Sequence, residues 1–189
     1  WYNAFSALLF LTVALFRDLI VAIEIPGTGA TIIDSAYWSG LDIVPYLLLA
    51  YWFHGWYINF SSGVFIKEKT KVFYKITLMG AGVTVVANLA LIPVYGMTGS
   101  AMATLLSYGA MAVTLGLYSR KVMDVPYRLT ESFGLMVLTG ALVFVEPRLG
   151  TLISAGETTL RLLLLFAGIL ITTAYLAWYL RKSTRVVSG

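Results

Sequence analysis

Arg17 and Asp18 stand side by side in the first apolar run of the sequence, and charges within such a run indicate chemistry inside a membrane. A central Arg or Asp costs about 2.5–3.5 kcal/mol even on the most permissive insertion scale. Arg17 could attract an anionic headgroup in a water-filled cavity, and Asp18 could couple protons or cations. Alternatively, both reach the outer headgroup level and are solvated there. Because successive helical residues point about 100° apart, we do not expect the two side chains to pair.

The second apolar run is unusually polar, and its candidate site residues are His54 and Asn59. His54 could shuttle a proton or bind a ligand, or it could be a neutral imidazole that is hydrogen-bonded to a neighbouring helix. The aromatic rings of this run could stack on sugars or pack against other helices. Its polar and aromatic residues are Tyr46, Tyr51, Trp52, His54, Trp56, Tyr57, Asn59, Ser61 and Ser62.

The rest of the sequence lacks the catalytic motifs of soluble enzymes. It has no Cys and one His, which excludes thiolate and multi-histidine metal sites. It has no glycine-rich phosphate loop and no nucleophile with an evident base, and Asp34, Glu146 and Glu157 form no arrangement that singles them out. We therefore expect no enzyme activity, no metal and no cofactor, with H+ or Na+ coupling left open. Membrane orientation accounts for the basic loops better than nucleic-acid binding does.

The composition indicates that membrane helices position these residues. Hydrophobic residues make up 59% of the 189-residue chain and charged residues 12%, against about 45–50% and about 25% in soluble domains. So few charges cannot cover a soluble domain, so we expect an all-α, polytopic bundle in a lipid bilayer. The chain begins at Trp1 and shows no signal-peptide pattern, and we expect it to be the C-terminal part of a longer protein.

Apolar runs bounded by charges and turn residues predict about six membrane spans. These cover residues 3–23, 41–66, 73–92, 98–119, 132–146 and 159–180. The fifth span is the weakest prediction because it is short before Glu146 and Pro147. An earlier start, at Tyr127, and a tilted or incomplete crossing of the membrane are the alternatives. Asp42 is interpreted as a negative charge that interacts favourably with the positive, N-terminal end of the second helix's dipole.

The loop charges predict an orientation. By the positive-inside rule, the second connection, the fourth connection and the tail face the cytoplasm, so both ends of the chain lie there. The other connections, including the uncharged turn at 93–97, then face outward. The basic residues behind this prediction are Lys67, Lys69, Lys71, Lys75, Arg120, Lys121, Arg128, Arg181, Lys182 and Arg185.

The uncharged turn joins two apolar runs into a predicted helical hairpin. Asn88, before the turn, can hydrogen-bond to another helix or brace the turn. After the turn, Gly99, Ala103 and Ser107 recur at four-residue spacing, which predicts a small-residue face for close helix packing. Gly80 and Gly82 are expected to permit close approach or bending.

The hairpin carries a motif. The block from Asn88 to Thr104 reads Asn-Leu-Ala-Leu-Ile-Pro-Val-Tyr-Gly-Met-Thr-Gly-Ser-Ala-Met-Ala-Thr. It resembles the pattern Asn-x-x-Leu-Ile-Pro-x-x-Gly-x-x-Gly-Ala-Ala-x-Ala-Thr of Wzx-type polysaccharide flippases, in the multidrug/oligosaccharidyl-lipid/polysaccharide exporter superfamily. Ser100 stands where Ala is usual, and the resemblance is specific over residues 40–122. The matching structural residues are Asn88, Pro93, Gly96, Gly99, Ala101 and Thr104.

The resemblance implies a place in a two-lobe exporter. Residues 1–122 would form four spans of the C-terminal lobe, and residues 123–189 two additional helices and a basic cytoplasmic tail. The whole protein would flip isoprenoid-diphosphate-linked oligosaccharide, for surface polysaccharides such as lipopolysaccharide O-antigen, across a prokaryotic cytoplasmic membrane. The lipid-linked oligosaccharide would cross by alternating access of the two lobes around a cationic cavity. The implied partners are the lipid bilayer, the lipid-linked oligosaccharide, the missing N-terminal half and polysaccharide assembly enzymes, but not nucleic acid.

Two other functions remain open on the sequence. A multidrug or other lipid exporter of the same superfamily would share the glycine-rich hairpin, because that feature reports fold more than cargo. A membrane scaffold within a polysaccharide assembly complex would need no transport at all.

Overall fold

The computed structural model describes residues 2–27, 30–122, 129–152 and 157–187, and within these ranges the elements are helices without a strand. The all-α class is therefore confirmed. The helices are α1 (Tyr2–Leu15), α2 (Arg17–Val21), a 3-10 helix (Ser35–Ile43), α3 (Val44–Ile66), α4 (Lys71–Val122), α5 (Leu129–Leu152) and α6 (Glu157–Val187).

Among the described residues, three helical segments are long and apolar enough to cross a membrane. They are Lys71–Val122, Thr130–Pro147 and Thr158–Arg181. On α4, large apolar side chains point outward, with Val86 and Leu89 exposed by 68% and 74%. Such a surface is costly in water but suits lipid, which supports a membrane protein. The first of these segments includes two of the six predicted spans. The total of six remains a prediction.

The helices differ from the predicted spans at three places. The first span, expected over 3–23, is interrupted at Phe16, where φ is −108° and ψ is 16°. The second begins at Val44 instead of 41, because Asp42 lies in the 3-10 helix and Pro45 takes the first turn of α3, where a missing N–H costs little. The fifth helix continues through Pro147 to Leu152, and prolines are tolerated in this way in membrane helices. Its segment of membrane-spanning length, Thr130–Pro147, agrees with the predicted 132–146.

Contacts divide the chain into two compact units. Unit 1 comprises Trp1–Trp38 and Arg128–Gly189, and unit 2 comprises Ser39–Tyr127. The predicted division at residue 122 follows from the resemblance to two-lobe exporters. The two units do not test it, and it remains a prediction.

In unit 1, α1 packs against α5 and α6. Phe10, Leu11 and Leu15 are almost fully buried. Gly168 of α6 admits the side chain of Leu11 so closely that an added Cβ would overlap its Cδ1. Glycine at position 168 therefore lets the Leu11 side chain approach the α6 backbone closely.

In unit 2, α3 packs along α4. Trp52, Trp56 and Phe60 line the buried side of α3. A Cβ at Gly116 would lie 3.0 Å from the Phe60 ring, so this glycine lets the aromatic ring approach the α4 backbone.

Candidate functional site

A buried ion cluster lies in unit 1 and joins three helices. The Nε of Arg161 donates to Oε1 of Glu146 at 3.0 Å, and its Nη2 donates to Oδ2 of Asp18 at 2.7 Å. The side chains of Arg161 and Glu146 are both 8% exposed, whereas that of Asp18 is 45% exposed. The guanidinium is thus held by one buried and one accessible carboxylate, each through a charge-assisted hydrogen bond.

The interruption of the first helix positions Asp18 for this cluster. Helix α1 ends at Leu15 and α2 begins at Arg17, so the break leaves backbone carbonyls at the end of α1 without their helical partners. Nη1 of Arg17 donates to the carbonyl of Ala14 at 2.8 Å and so caps that end. Asp18, in the first turn of α2, then reaches Arg161 at the start of α6.

The expectation that Arg17 and Asp18 do not pair is wrong. Nε of Arg17 lies 3.7 Å from Oδ1 of Asp18. The expectation assumed one regular helix through both residues, but the break at Phe16 and the fold-back of Arg17 onto Ala14 bring the two groups together. The structure therefore unites both predicted residues with Glu146 and Arg161.

The sequence does not single out Glu146 and Arg161. The predicted topology puts both in an outer connection or at its edge, yet they lie within α5 and α6 and are buried. A signal is present: Arg161 stands inside the predicted span 159–180, and a charge inside an apolar run indicates a partner. The identity of that partner cannot be read from the sequence.

His54 lies in unit 2 among tyrosine rings. The ring centroid of Tyr108 is 5.0 Å away, and those of Tyr51 and Tyr57 are each 6.2 Å away. Aromatic contacts thus surround the imidazole in the described part of unit 2, in place of the hydrogen bond to a neighbouring helix considered above. Asn59 is exposed and donates from Nδ2 to the carbonyl of Gly55 at 2.8 Å, within its own helix.

The motif residues lie around a break in α4 at Gly96. Gly96 has φ 56° and ψ −129°, which an L-residue with a Cβ rarely adopts. At Gly99, an added Cβ would overlap the carbonyl of Leu91, so the chain approaches its own backbone closely there. Pro93 is accommodated within the helical segment before the break. The two glycines therefore occupy positions that demand glycine for different reasons.

The remaining motif residues support the hairpin in smaller ways. Ala101 is 4% exposed, and Thr104 donates from Oγ1 to the carbonyl of Ser100 at 3.1 Å. Oδ1 of Asn88 is buried and, within the described residues, accepts no hydrogen bond. The predicted bracing role of Asn88 thus has no counterpart at its carbonyl oxygen.

The predicted small-residue face is buried between the two arms of α4, residues 71–95 and 97–122. Gly99, Ala103 and Ser107 are all buried. Oγ of Ser107 donates to the carbonyl of Gly80 at 2.8 Å, and a Cβ at Gly80 would overlap the side chain of Met111. The predictions of a packing face and of close approach at Gly80 are confirmed. Gly82 serves no such contact, because an added Cβ there would meet nothing within 4 Å.

Comparison with known proteins adds no assignment. No family model matches this chain, and searches of the curated proteins and of the solved structures found no match.

Proposed function

We propose that this chain is part of a membrane exporter that flips isoprenoid-diphosphate-linked oligosaccharide, for cell-surface polysaccharide synthesis, by alternating access. The observation that carries the proposal is the hairpin in α4. Its motif places glycine at the two backbone positions that require it, Gly96 by conformation and Gly99 by close approach. The resemblance in sequence therefore coincides with the physical demands of the turn.

The proposed topology has six spans, with both ends of the chain cytoplasmic and the 93–97 turn outside, in a prokaryotic cytoplasmic membrane. The basic connection at 67–75 and the pair Arg120 and Lys121 support this orientation through the positive-inside rule. Residues 1–122 and 123–189 would correspond to lobe spans and additional helices of a two-lobe exporter.

The cargo has a diphosphate that must cross an apolar barrier, and a cation near its path would lower that barrier. We assign this contact to Arg17, whose side chain is 17% exposed. Arg17→Ala should reduce flipping in the full-length protein, while Arg17→Lys should retain most of it because the positive charge remains. Lys121→Ala, an exposed cation at the other predicted face, serves as the matched control.

The measurement is transfer of lipid-linked oligosaccharide between leaflets in liposomes, with all proteins at equal amounts. If Arg17→Ala flips as fast as the unsubstituted protein, Arg17 does not contact the cargo.

The function itself is tested separately, by complementation of a deletion strain. Restored surface polysaccharide supports the proposal, whereas restored drug efflux alone favours a multidrug or other lipid exporter. A third outcome, binding to a glycosyltransferase or polymerase without leaflet transfer in liposomes, favours a scaffold of an assembly complex.

A further inference from the structure

A cavity of about 700 Å³ opens in unit 2 where α4 begins. Lys69, Lys71 and Lys75 are exposed and form its mouth, whereas less exposed residues of both arms of α4 line the rest. The proposed transport path does not involve this cavity, which lies at the basic end of the unit.

The three lysines concentrate positive charge at the mouth. Lys71 and Lys75 are one helical turn apart and therefore lie on the same side of α4. Glu68 is the carboxylate at the rim, and among the residues that the structure describes it forms no ion pair with these lysines. The mouth thus carries an excess of cations that are available to an anion.

The turn before α4 holds the lysines in place. Glu68 N–H donates to Phe65 O at 3.0 Å and Lys69 N–H to Val64 O at 3.1 Å, which is the hydrogen-bond pattern of a Schellman cap. Glu68 adopts φ 54° at the position where such caps usually have glycine. The chain therefore reverses sharply and places Lys69 next to Lys71.

The interior of the cavity is apolar. Val72, Ile76 and Met79 follow the lysines along the same arm of α4. Thr114 and Tyr118 face them from the second arm, and the hydroxyl of Thr114 donates to the Sδ of Met79 at 3.7 Å, a weak acceptor. Charge at the mouth and hydrocarbon within match a molecule that has an anionic head and an apolar tail.

We propose that this cavity binds an anionic bilayer lipid, with its phosphate headgroup at Lys69, Lys71 and Lys75 and its acyl chain against Ile76 and Met79. Basic residues next to a membrane helix attract anionic headgroups, and each contributes appreciably at the surface. The site needs α4 to be in the membrane, but it does not depend on which cargo the protein carries.

The test measures lipid affinity of the purified protein in nanodiscs of phosphatidylcholine doped with phosphatidylglycerol. Lys71→Gln/Lys75→Gln should bind phosphatidylglycerol about thirtyfold more weakly, the factor expected for two surface lysines. Lys67→Gln/Lys121→Gln removes the same charge outside the cavity and should change the affinity little. Lys71→Arg/Lys75→Arg should bind as the unsubstituted protein does.

Binding measurements with two other ligands identify the source of the phosphate. Inorganic phosphate should bind far more weakly than phosphatidylglycerol because it lacks the chain that contacts Ile76 and Met79. An isoprenyl diphosphate that binds more tightly than phosphatidylglycerol and displaces it would overturn the proposal in favour of a cargo site. Equal loss of affinity in the two glutamine pairs would overturn it in favour of diffuse surface charge.

A folding defect in the glutamine pair is recognised by its elution and thermal unfolding without lipid. If the pair is misfolded, Lys71→Gln alone and the filling variant Thr114→Phe replace it, and unchanged affinity in both would refute the site. This experiment makes no use of transport, so its failure leaves the proposed export function intact, and the converse also holds.

Discussion

The guanidinium of Arg161 is shared by two carboxylates of unequal exposure, and this inequality determines what each contributes. Glu146 and Arg161 are buried together, so removing one leaves the other charged and without compensation. Asp18 is 45% exposed and can be solvated when its partner is lost. Either member of the buried pair is therefore costly to remove alone, while Asp18 is the acid of the cluster that solvent or a cation can reach.

Replacement of Arg161 by Met should destabilise unit 1 strongly. We expect a loss of about 3–5 kcal/mol, the usual cost of breaking a buried ion pair. Asp18→Asn should cost much less, because its carboxylate is partly solvated. The free energy of unfolding in detergent, followed by intrinsic fluorescence, measures both changes.

The double variant Arg161→Met/Glu146→Leu separates charge from packing. It should regain most of the lost stability, because it removes both buried charges and keeps the volume apolar. A double variant no more stable than Arg161→Met would show that packing around Arg161, and not the uncompensated Glu146, explains the loss.

At the scale of elements, two helices are interrupted for different reasons. The break at Phe16 is stabilised by a side chain, since Arg17 caps the carbonyl of Ala14. The break at Gly96 depends on the backbone itself, because its φ and ψ suit glycine alone. The first break should therefore tolerate substitution of Phe16 better than the second tolerates substitution of Gly96.

Gly96→Ala should destabilise unit 2 by about 1–3 kcal/mol, the cost of forcing a Cβ into a sparsely populated backbone region. Gly82→Ala is the matched control on the same helix, with open space around an added Cβ. It should be neutral or stabilise by about 0.5–1 kcal/mol, because alanine favours helix.

Thermal unfolding of the two purified variants decides between these expectations. Similar effects of the two substitutions would mean that the break at Gly96 does not need its positive φ.

At the scale of the whole molecule, the two units share a feature: in each, a glycine lies where a side chain of another helix or helix arm approaches the backbone closely. Gly168 admits Leu11 in unit 1, and Gly80 lies against Met111 in unit 2. Helices packed in lipid gain little by burying large apolar groups, since lipid is as apolar as the protein interior. Close packing at small residues is therefore one source of helix association, beside hydrogen bonds between helices.

The proposed orientation can be tested directly because the chain has no cysteine. In intact cells, a membrane-impermeant maleimide should label Met97→Cys but neither Lys67→Cys nor Lys121→Cys. Inverted vesicles should give the reverse pattern. Labelling of positions 67 and 97 from one side would mean that the first arm of α4 does not cross the membrane.

Composition and run length were enough to predict an all-α chain with apolar helices, because both depend only on which residues follow one another. The hairpin was also predictable: a glycine at 96 and small residues at four-residue spacing express local constraints of a turn and a helix face. The ends of helices were harder to predict, because Asp42 lies in a 3-10 helix before α3 and α5 continues through Pro147.

The ion cluster and the lysine-lined cavity were beyond sequence reasoning. Arg161 is 15 residues from Glu146 and 143 from Asp18, and nothing in the order of the chain pairs them. Likewise, Lys75 faces Tyr118 only because α4 folds back at Gly96. Residue type and spacing determine where a helix forms and which side is apolar, whereas the partners of each charge follow from the way distant helices pack.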